Sequence, residues 1–120
     1  MFYTKHITLT DNVEQTVFTM PEGYTANIMY VFVANHGGST NNIDLFWELS
    51  AVPQLYMFDN TSLTAGSKEI LGGQSSAPIF VLHNGETVKA QASQATGNME
   101  VAVTFELVTR PTTLINFNGS

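Results

Sequence analysis

Apolar and polar residues alternate with a period of two along most of this chain. The clearest segment spans residues 24–35, and the alternation recurs over 43–50, 86–93 and 99–109. Because successive side chains of a β-strand point to opposite faces, this period predicts half-buried strands. No window of about eleven residues or more follows the helical period, and Thr, Val and Asn are poor helix formers. The pattern therefore predicts a chain of strands with no significant helix.

Residues with turn chemistry separate these segments. Pro21-Glu22-Gly23 offers a proline for the first corner of a turn and a glycine for a positive φ. Asn84-Gly85 predicts a tight hairpin, and 95–98 predicts another. The resulting strands are 6–10, 14–20, 24–35, 43–50, 54–59, 67–71, 78–82, 86–93 and 99–109. Short strands with frequent turns predict an all-β fold, a single-domain antiparallel β-sandwich of jelly-roll type with about eight or nine strands.

The length of 120 residues fits one domain. We expect the sandwich to occupy residues 1–110, followed by a C-terminal tail at 111–120 that serves as an interface arm. The tail has no clear period, but its apolar side chains are poorly suited to water. These side chains are Leu114, Ile115 and Phe117.

Several segments are apolar on both faces of a predicted strand. They are 29–33, the pair Phe46-Trp47, and 56–58. A strand that is apolar on both faces needs cover on both faces, and a small sandwich supplies only one. A loop, the tail or another subunit must cover the second face. The candidate subunit-interface residues are therefore Phe46, Tyr56, Phe58, Leu114, Ile115 and Phe117.

Charged residues are scarce in this chain. Asp, Glu, Lys and Arg make up 12% of it, about half the usual quarter, whereas Thr and Asn supply 25 of its 120 residues. The net charge is −6, and the four basic residues, Lys5, Lys68, Lys89 and Arg110, are scattered singly. Without a basic patch we expect no nucleic-acid partner and no membrane partner. The longest apolar run, 28–34, is also far too short to span a bilayer.

The sequence carries no recognisable catalytic or metal-binding motif. His6, His36 and His83 are far apart and follow no zinc-ligand spacing. The segment 36–39, His-Gly-Gly-Ser, resembles the oxyanion loop of esterases, but no nucleophile elbow and no helix accompany it. We therefore expect no enzyme activity, no catalytic residue, no metal and no cofactor.

Two stretches of the chain have a recognisable turn-and-strand pattern. The first is Gln15 to Ile28, QTVFTMPEGYTANI, a turn that opens a strand ending in Phe32-Val33-Ala34-Asn35. The second runs from Leu82 to Ser93, LHNGETVKAQAS, and an alternating last strand follows it. In these stretches the chain resembles small virion proteins of tailed bacteriophages, and the resemblance covers roughly residues 10–108. It implies a non-enzymatic β-sandwich that assembles in many copies on the virion, with no catalytic residues to carry over.

Within that class, we expect a ring or adaptor component of the tail near the site of fibre attachment. The alternative is a capsid decoration (cement) protein. Expected partners are copies of the chain itself and other virion proteins of the tail, fibre or capsid. The expected location is the virion, after synthesis in the host bacterial cytoplasm. A different class, a carbohydrate-binding module, would use Trp47 and Tyr56 as glycan-stacking residues.

Overall fold

The computed structural model describes residues 2–48, 54–73, 77–83, 85–94 and 98–109. Within these ranges the regular elements are nine β-strands and no helix, which confirms the predicted all-β class. The strands are β1 (Phe2–Leu9), β2 (Gln15–Thr19), β3 (Tyr24–Asn35), β4 (Asn41–Glu48), β5 (Leu55–Leu63), β6 (Lys68–Gly72), β7 (Phe80–Leu82), β8 (Thr87–Ala92) and β9 (Met99–Thr109).

The strands form two antiparallel sheets. Sheet I has the order β1-β9-β3-β6, with β7 also paired to β3, and sheet II has the order β2-β8-β4-β5. β6 pairs with residues 30–34 of β3 and β7 with residues 26–28, so the two short strands share one edge position. The pairs are nested along the chain, from β1 with β9 to β4 with β5. One long hairpin, rolled up, gives this arrangement, and the fold is the predicted jelly roll.

Nesting also corrects two predicted hairpins. Asn84-Gly85 separates β7 from β8, and 95–98 separates β8 from β9, but in each case the two strands belong to different sheets. Gly85 does take the positive φ of 81° that its turn requires. Turn residues reverse the chain without deciding whether the next strand pairs with the previous one or crosses to the other sheet.

The largest extensions beyond the predicted bounds are in β1 and β5. β1 begins at Phe2 because its first residues pair with β9, Tyr3 opposite Phe105 for example. β5 continues past residue 59 through an irregularity at Asn60, which has a φ of 47°. The Asn60 backbone N–H donates a hydrogen bond to Asp44 Oδ1 at 2.6 Å, which holds the irregular residue on β4.

The core lies between the inward faces of the two sheets. Sheet II contributes Ile43, Leu45, Val88, Ala90 and Ala92, and sheet I contributes Ile28, Val31, Val33, Val101 and Val103, all fully buried. The Phe18 and Phe105 rings stack between the sheets with centroids 4.7 Å apart.

Asn35 and Asn41 are the buried polar residues of the described chain. Asn35 Nδ2 donates to the carbonyl oxygens of Ser39 and Leu63, both at 2.8 Å, and its Oδ1 accepts from the Gly37 N–H at 2.8 Å. The Asn35 side chain thus gives these three backbone groups the hydrogen bonds that water would otherwise provide. It fixes the end of β3 to the end of β5.

Candidate subunit interfaces

An apolar surface lies on the outer face of sheet I. Tyr30 and Phe32 are two residues apart on β3, so they share this face, and Ile70 of β6 is directly opposite Phe32. We call these three residues the sheet I patch. Ile70 is 56% exposed and Tyr30 37% exposed, while Phe32 is half-buried. The patch extends to the edge of the sheet, since β6 is an edge strand.

The surroundings of the sheet I patch are small or polar. Ala102 is opposite Phe32 on β9, and Thr104 is opposite Tyr30. Lys68 and Glu100 flank Ala34, one on each neighbouring strand. An apolar centre with a polar rim is the usual anatomy of a protein interface.

A second aromatic pair lies on the outer face of sheet II. Phe46 of β4 is opposite Tyr56 of β5, and their ring centroids are 5.1 Å apart. Phe46 is 2% exposed although it points away from the core, whereas Tyr56 is 46% exposed. Partial desolvation, aided by the nearby charge of Asp44, raises the pKa of the Tyr56 hydroxyl. Tyr56 is therefore the member of the pair that is available for contact.

An ion-pair cluster borders Phe46. Lys89, opposite Phe46 on β8, places its Nζ 3.0 Å from Glu48 Oε1 and 3.2 Å from Glu14 Oε1. The hydrogen bond from Lys89 lowers the pKa of Glu48, and the same bond raises the pKa of Lys89. The cluster joins β8, β4 and the segment before β2, next to the Phe46–Tyr56 pair. The charge of Lys89 is neutralised by these two carboxylates.

The other predicted interface residues lie elsewhere. Phe58 is opposite Leu45, an inward residue, and packs against the core. Leu114, Ile115 and Phe117 lie outside the described residues. Their part in an interface stays a prediction.

Trp47 points inward from β4 and is half-buried. Its ring stacks on Phe80 with centroids 4.3 Å apart, and its Nε1 donates to Glu86 Oε1 at 3.3 Å. One ring face and the polar edge are thus engaged within the chain. For the glycan-binding alternative this leaves Tyr56 as the more accessible stacking residue.

The histidines lie on separate parts of the sandwich, all of them exposed. His6 of β1 contacts the Glu100 carboxylate on the outer face of sheet I, and Thr8 donates to that carboxylate at 3.1 Å. His36 follows β3 and His83 follows β7. In the described ranges, no three His, Asp or Glu side chains are grouped as metal ligands, and no helix is long and apolar enough to cross a membrane.

The candidate residues from the sequence did not include the sheet I patch. The two-sided apolar segment 29–33 pointed to Tyr30 and Phe32, but Ile70 lies in a short strand without a clear period. An irregularity in the β3–β9 pairing between Ile28 and Tyr30 changes which residues face outward. Simple alternation would have placed Tyr30 on the same face as the buried Ile28.

Comparison with known proteins identifies the fold. No family model matches this chain, and no curated protein does. A chain in the acidic stable capsid structure of Helicobacter pylori bacteriophage KHP30 superposes with a TM-score of 0.52 at 12% identity, covering 89% of this chain and 90% of that chain. A chain of the cyanophage Pam1 capsid asymmetric unit gives a TM-score of 0.49 at 18% identity, covering 92% and 84%. The KHP30 match shows that a phage capsid structure contains this fold.

Proposed function

We propose that this chain is a non-enzymatic structural subunit of a bacteriophage virion, present in several copies and bound through the sheet I patch. The observation that carries the proposal is the exposed apolar surface formed by Tyr30, Phe32 and Ile70 on an outer sheet face. Grouped apolar side chains on a small domain typically mark a contact with another protein. The partners are copies of the chain and other virion proteins.

The scarcity of charge supports the same proposal. With 12% charged residues, most of the polar surface consists of short uncharged side chains such as Thr and Asn. These groups are buried in an interface at a lower desolvation cost than unpaired charges, and they lose less rotamer freedom than Lys or Glu. Such a surface suits a protein that lies against other subunits.

A position on the capsid is our preferred arrangement. The fold of a chain in the KHP30 capsid structure matches 89% of this chain and 90% of its own length. This likeness over nearly the whole of both chains supports a position on the capsid. A capsid decoration protein would bind with the sheet I patch against the shell.

The tail ring or adaptor is a second candidate, supported by a different observation. The sheet I patch and Tyr56 lie on the outer faces of opposite sheets. Two different surfaces on opposite sides are what a head-to-tail ring requires. Native mass spectrometry of the purified chain separates the two arrangements: a closed oligomer of many copies supports the ring, and a monomer or small oligomer supports decoration.

The proposal is tested by placing a charge in the patch. Ile70→Lys is compared with Val13→Lys, because Ile70 and Val13 are 56% and 55% exposed and only Ile70 belongs to the patch. An interface would bury the 56% of Ile70 that is exposed, which is worth about 1–2 kcal/mol. Lysine at this position also places an unpaired charge in the contact, so we expect binding to fall about tenfold or more. Quantitative mass spectrometry of purified virions measures copies per particle.

We expect Ile70→Lys to lower the copy number at least tenfold and Val13→Lys to leave it unchanged. Urea denaturation confirms that both variants stay folded. Equal incorporation of the two variants would refute binding through the sheet I patch. Absence of the unmodified chain from virions would refute the virion role itself.

A further inference from the structure

An apolar cleft opens at one edge of the sandwich. β1 and β2 are the edge strands of their sheets and lie beside each other on this side. The cleft has a volume of about 190 Å³. It is lined by the apolar or aromatic residues Tyr3, Phe18, Met20, Pro21, Phe105 and Leu107, together with Lys5 and Thr19.

Aromatic rings form the wall of this edge cleft. Tyr3 stacks on Phe105 with centroids 5.8 Å apart, and Phe105 stacks on Phe18 at 4.7 Å. An apolar cavity of about 150 Å³ is known to admit a benzene-sized guest. At about 190 Å³, the edge cleft has room for one large apolar side chain.

The sequence after β9 supplies side chains of that kind. Leu107 lines the cleft, and Thr109, two residues later, is the last residue of β9. Residues 110–120 follow and include Leu114, Ile115 and Phe117. At roughly 3.3 Å per residue, Leu114 can lie up to about 17 Å from Thr109. The tail therefore leaves the sandwich from β9, the strand that carries the cleft-lining residues Phe105 and Leu107.

The residues between β9 and this apolar part favour a path away from the same molecule. A return to the cleft needs a reversal directly after Thr109, because Phe105 and Leu107 precede Thr109 along β9. Pro111 restricts residue 110 to extended conformations, which disfavours a reversal at that residue. From this restriction we expect residues 110–113 to continue in the direction of β9 and to carry the apolar residues outward.

We propose that residues 114–117 of one copy occupy the edge cleft of a second copy. This arm exchange rests on the proposed function, since it needs neighbouring copies, and it assigns them a specific contact. Each copy donates an arm and accepts one, so the contact repeats from subunit to subunit, and residues 114–117 bring no charged side chain into it.

Disulfide trapping tests the arm exchange in the full chain. The chain has no cysteine, so every disulfide that forms joins introduced cysteines, and the matching single-cysteine variants measure the bonds between like positions of two copies. Lys5→Cys, at the cleft, is combined with Leu114→Cys. The matched control combines Lys68→Cys with Leu114→Cys, because Lys68 is likewise an exposed strand lysine but lies on the opposite edge of sheet I. Phe117→Cys replaces Leu114→Cys as a second arm position.

After mild oxidation, we expect dimers and higher multimers on non-reducing gels for the cleft pair, at least tenfold above the control pair. A disulfide within one chain would show that the tail returns to its own cleft and would overturn the exchange. No bond above the control for either arm position would also overturn it. Because incorporation into virions is measured separately with Ile70→Lys, failure of the exchange leaves the proposed function to be judged by its own test.

Discussion

Replacing Asn35 by Asp tests the fold at its most completely buried polar side chain. Asn35 is 0% exposed, and its amide group donates two hydrogen bonds of 2.8 Å while its oxygen accepts one. Asp has the same shape, but an ionised carboxylate cannot donate. Asn35→Asp thus places negative charge against the Ser39 and Leu63 carbonyl oxygens, both of which lose their partner.

The cost follows from these contacts. A buried polar group left without its hydrogen bond costs about 1–3 kcal/mol, and two carbonyl groups are affected. Repulsion of the buried charge adds to this, so we expect a loss of about 4 kcal/mol in the free energy of unfolding at pH 7. For a domain of this size, the loss corresponds to a Tm lower by roughly 15 °C.

Asn41→Asp is the matched control. Asn41 is buried to a similar extent, at 3% exposed, but its oxygen accepts three hydrogen bonds and its amide group donates one, to Gln94 at 3.1 Å. A carboxylate keeps the three accepted bonds and strengthens them. We expect a loss of about 1 kcal/mol or less. Urea denaturation at constant m-value measures both variants.

The pH dependence has a definite sign. In the Asn35→Asp variant, burial beside carbonyl oxygens raises the pKa of the introduced carboxyl group above its unfolded value of about 3.9. The destabilisation is then full above the folded pKa and shrinks as pH falls, by at most about 1.4 kcal/mol per unit. We expect the gap to the unmodified chain to be smaller at pH 5 than at pH 7. An Asn35→Asp variant no less stable than Asn41→Asp would refute the reasoning.

Three further predictions concern other parts of the sandwich. Gly66→Ala should lower the free energy of unfolding by about 1 kcal/mol, because residue 66 has a φ of +78° but open space around it. Gly72→Ala should lower it by about 2 kcal/mol more, because a Cβ there would also lie 2.6 Å from a backbone carbonyl oxygen. Urea denaturation measures both losses. Lys89→Met should raise the pKa of Glu48, which a carboxyl NMR titration measures. The stability that the Lys89–Glu48 ion pair provides is present above the pKa that Glu48 has in the unfolded chain. It is lost as pH falls through the pKa that Glu48 has in the folded chain. Phe46→Ala should cost about 3 kcal/mol in urea denaturation despite its outward position, and a loss below about 1 kcal/mol would contradict its burial.

Much of the fold was predictable because one physical signal dominates it. Period-two alternation marks β3, β4, β8 and β9, the strands whose inward residues form the core. Which strands pair with each other was harder to predict from the sequence. Asn84-Gly85 reads locally as a hairpin, yet β7 and β8 belong to different sheets because long-range nesting overrides the local turn.

The interface prediction was incomplete for a related reason. Phe46 was correctly placed on the face opposite Trp47, but Tyr56 covers it, and no local pattern reports such cover. Ile70 became part of a patch only through its pairing with Phe32, a contact between distant segments. Local periodicity gives the face of a residue, whereas its exposure depends on which strands become neighbours.

The central claim is that this jelly roll is a virion subunit held by the outer face of sheet I. A cryo-EM reconstruction of the virion tests it most directly, because it shows both the number of copies and the buried face. We predict repeated copies of the nine-stranded sandwich with Tyr30, Phe32 and Ile70 against a neighbouring protein. Copies whose sheet I patch faces solvent, or a virion without this chain, would contradict the claim.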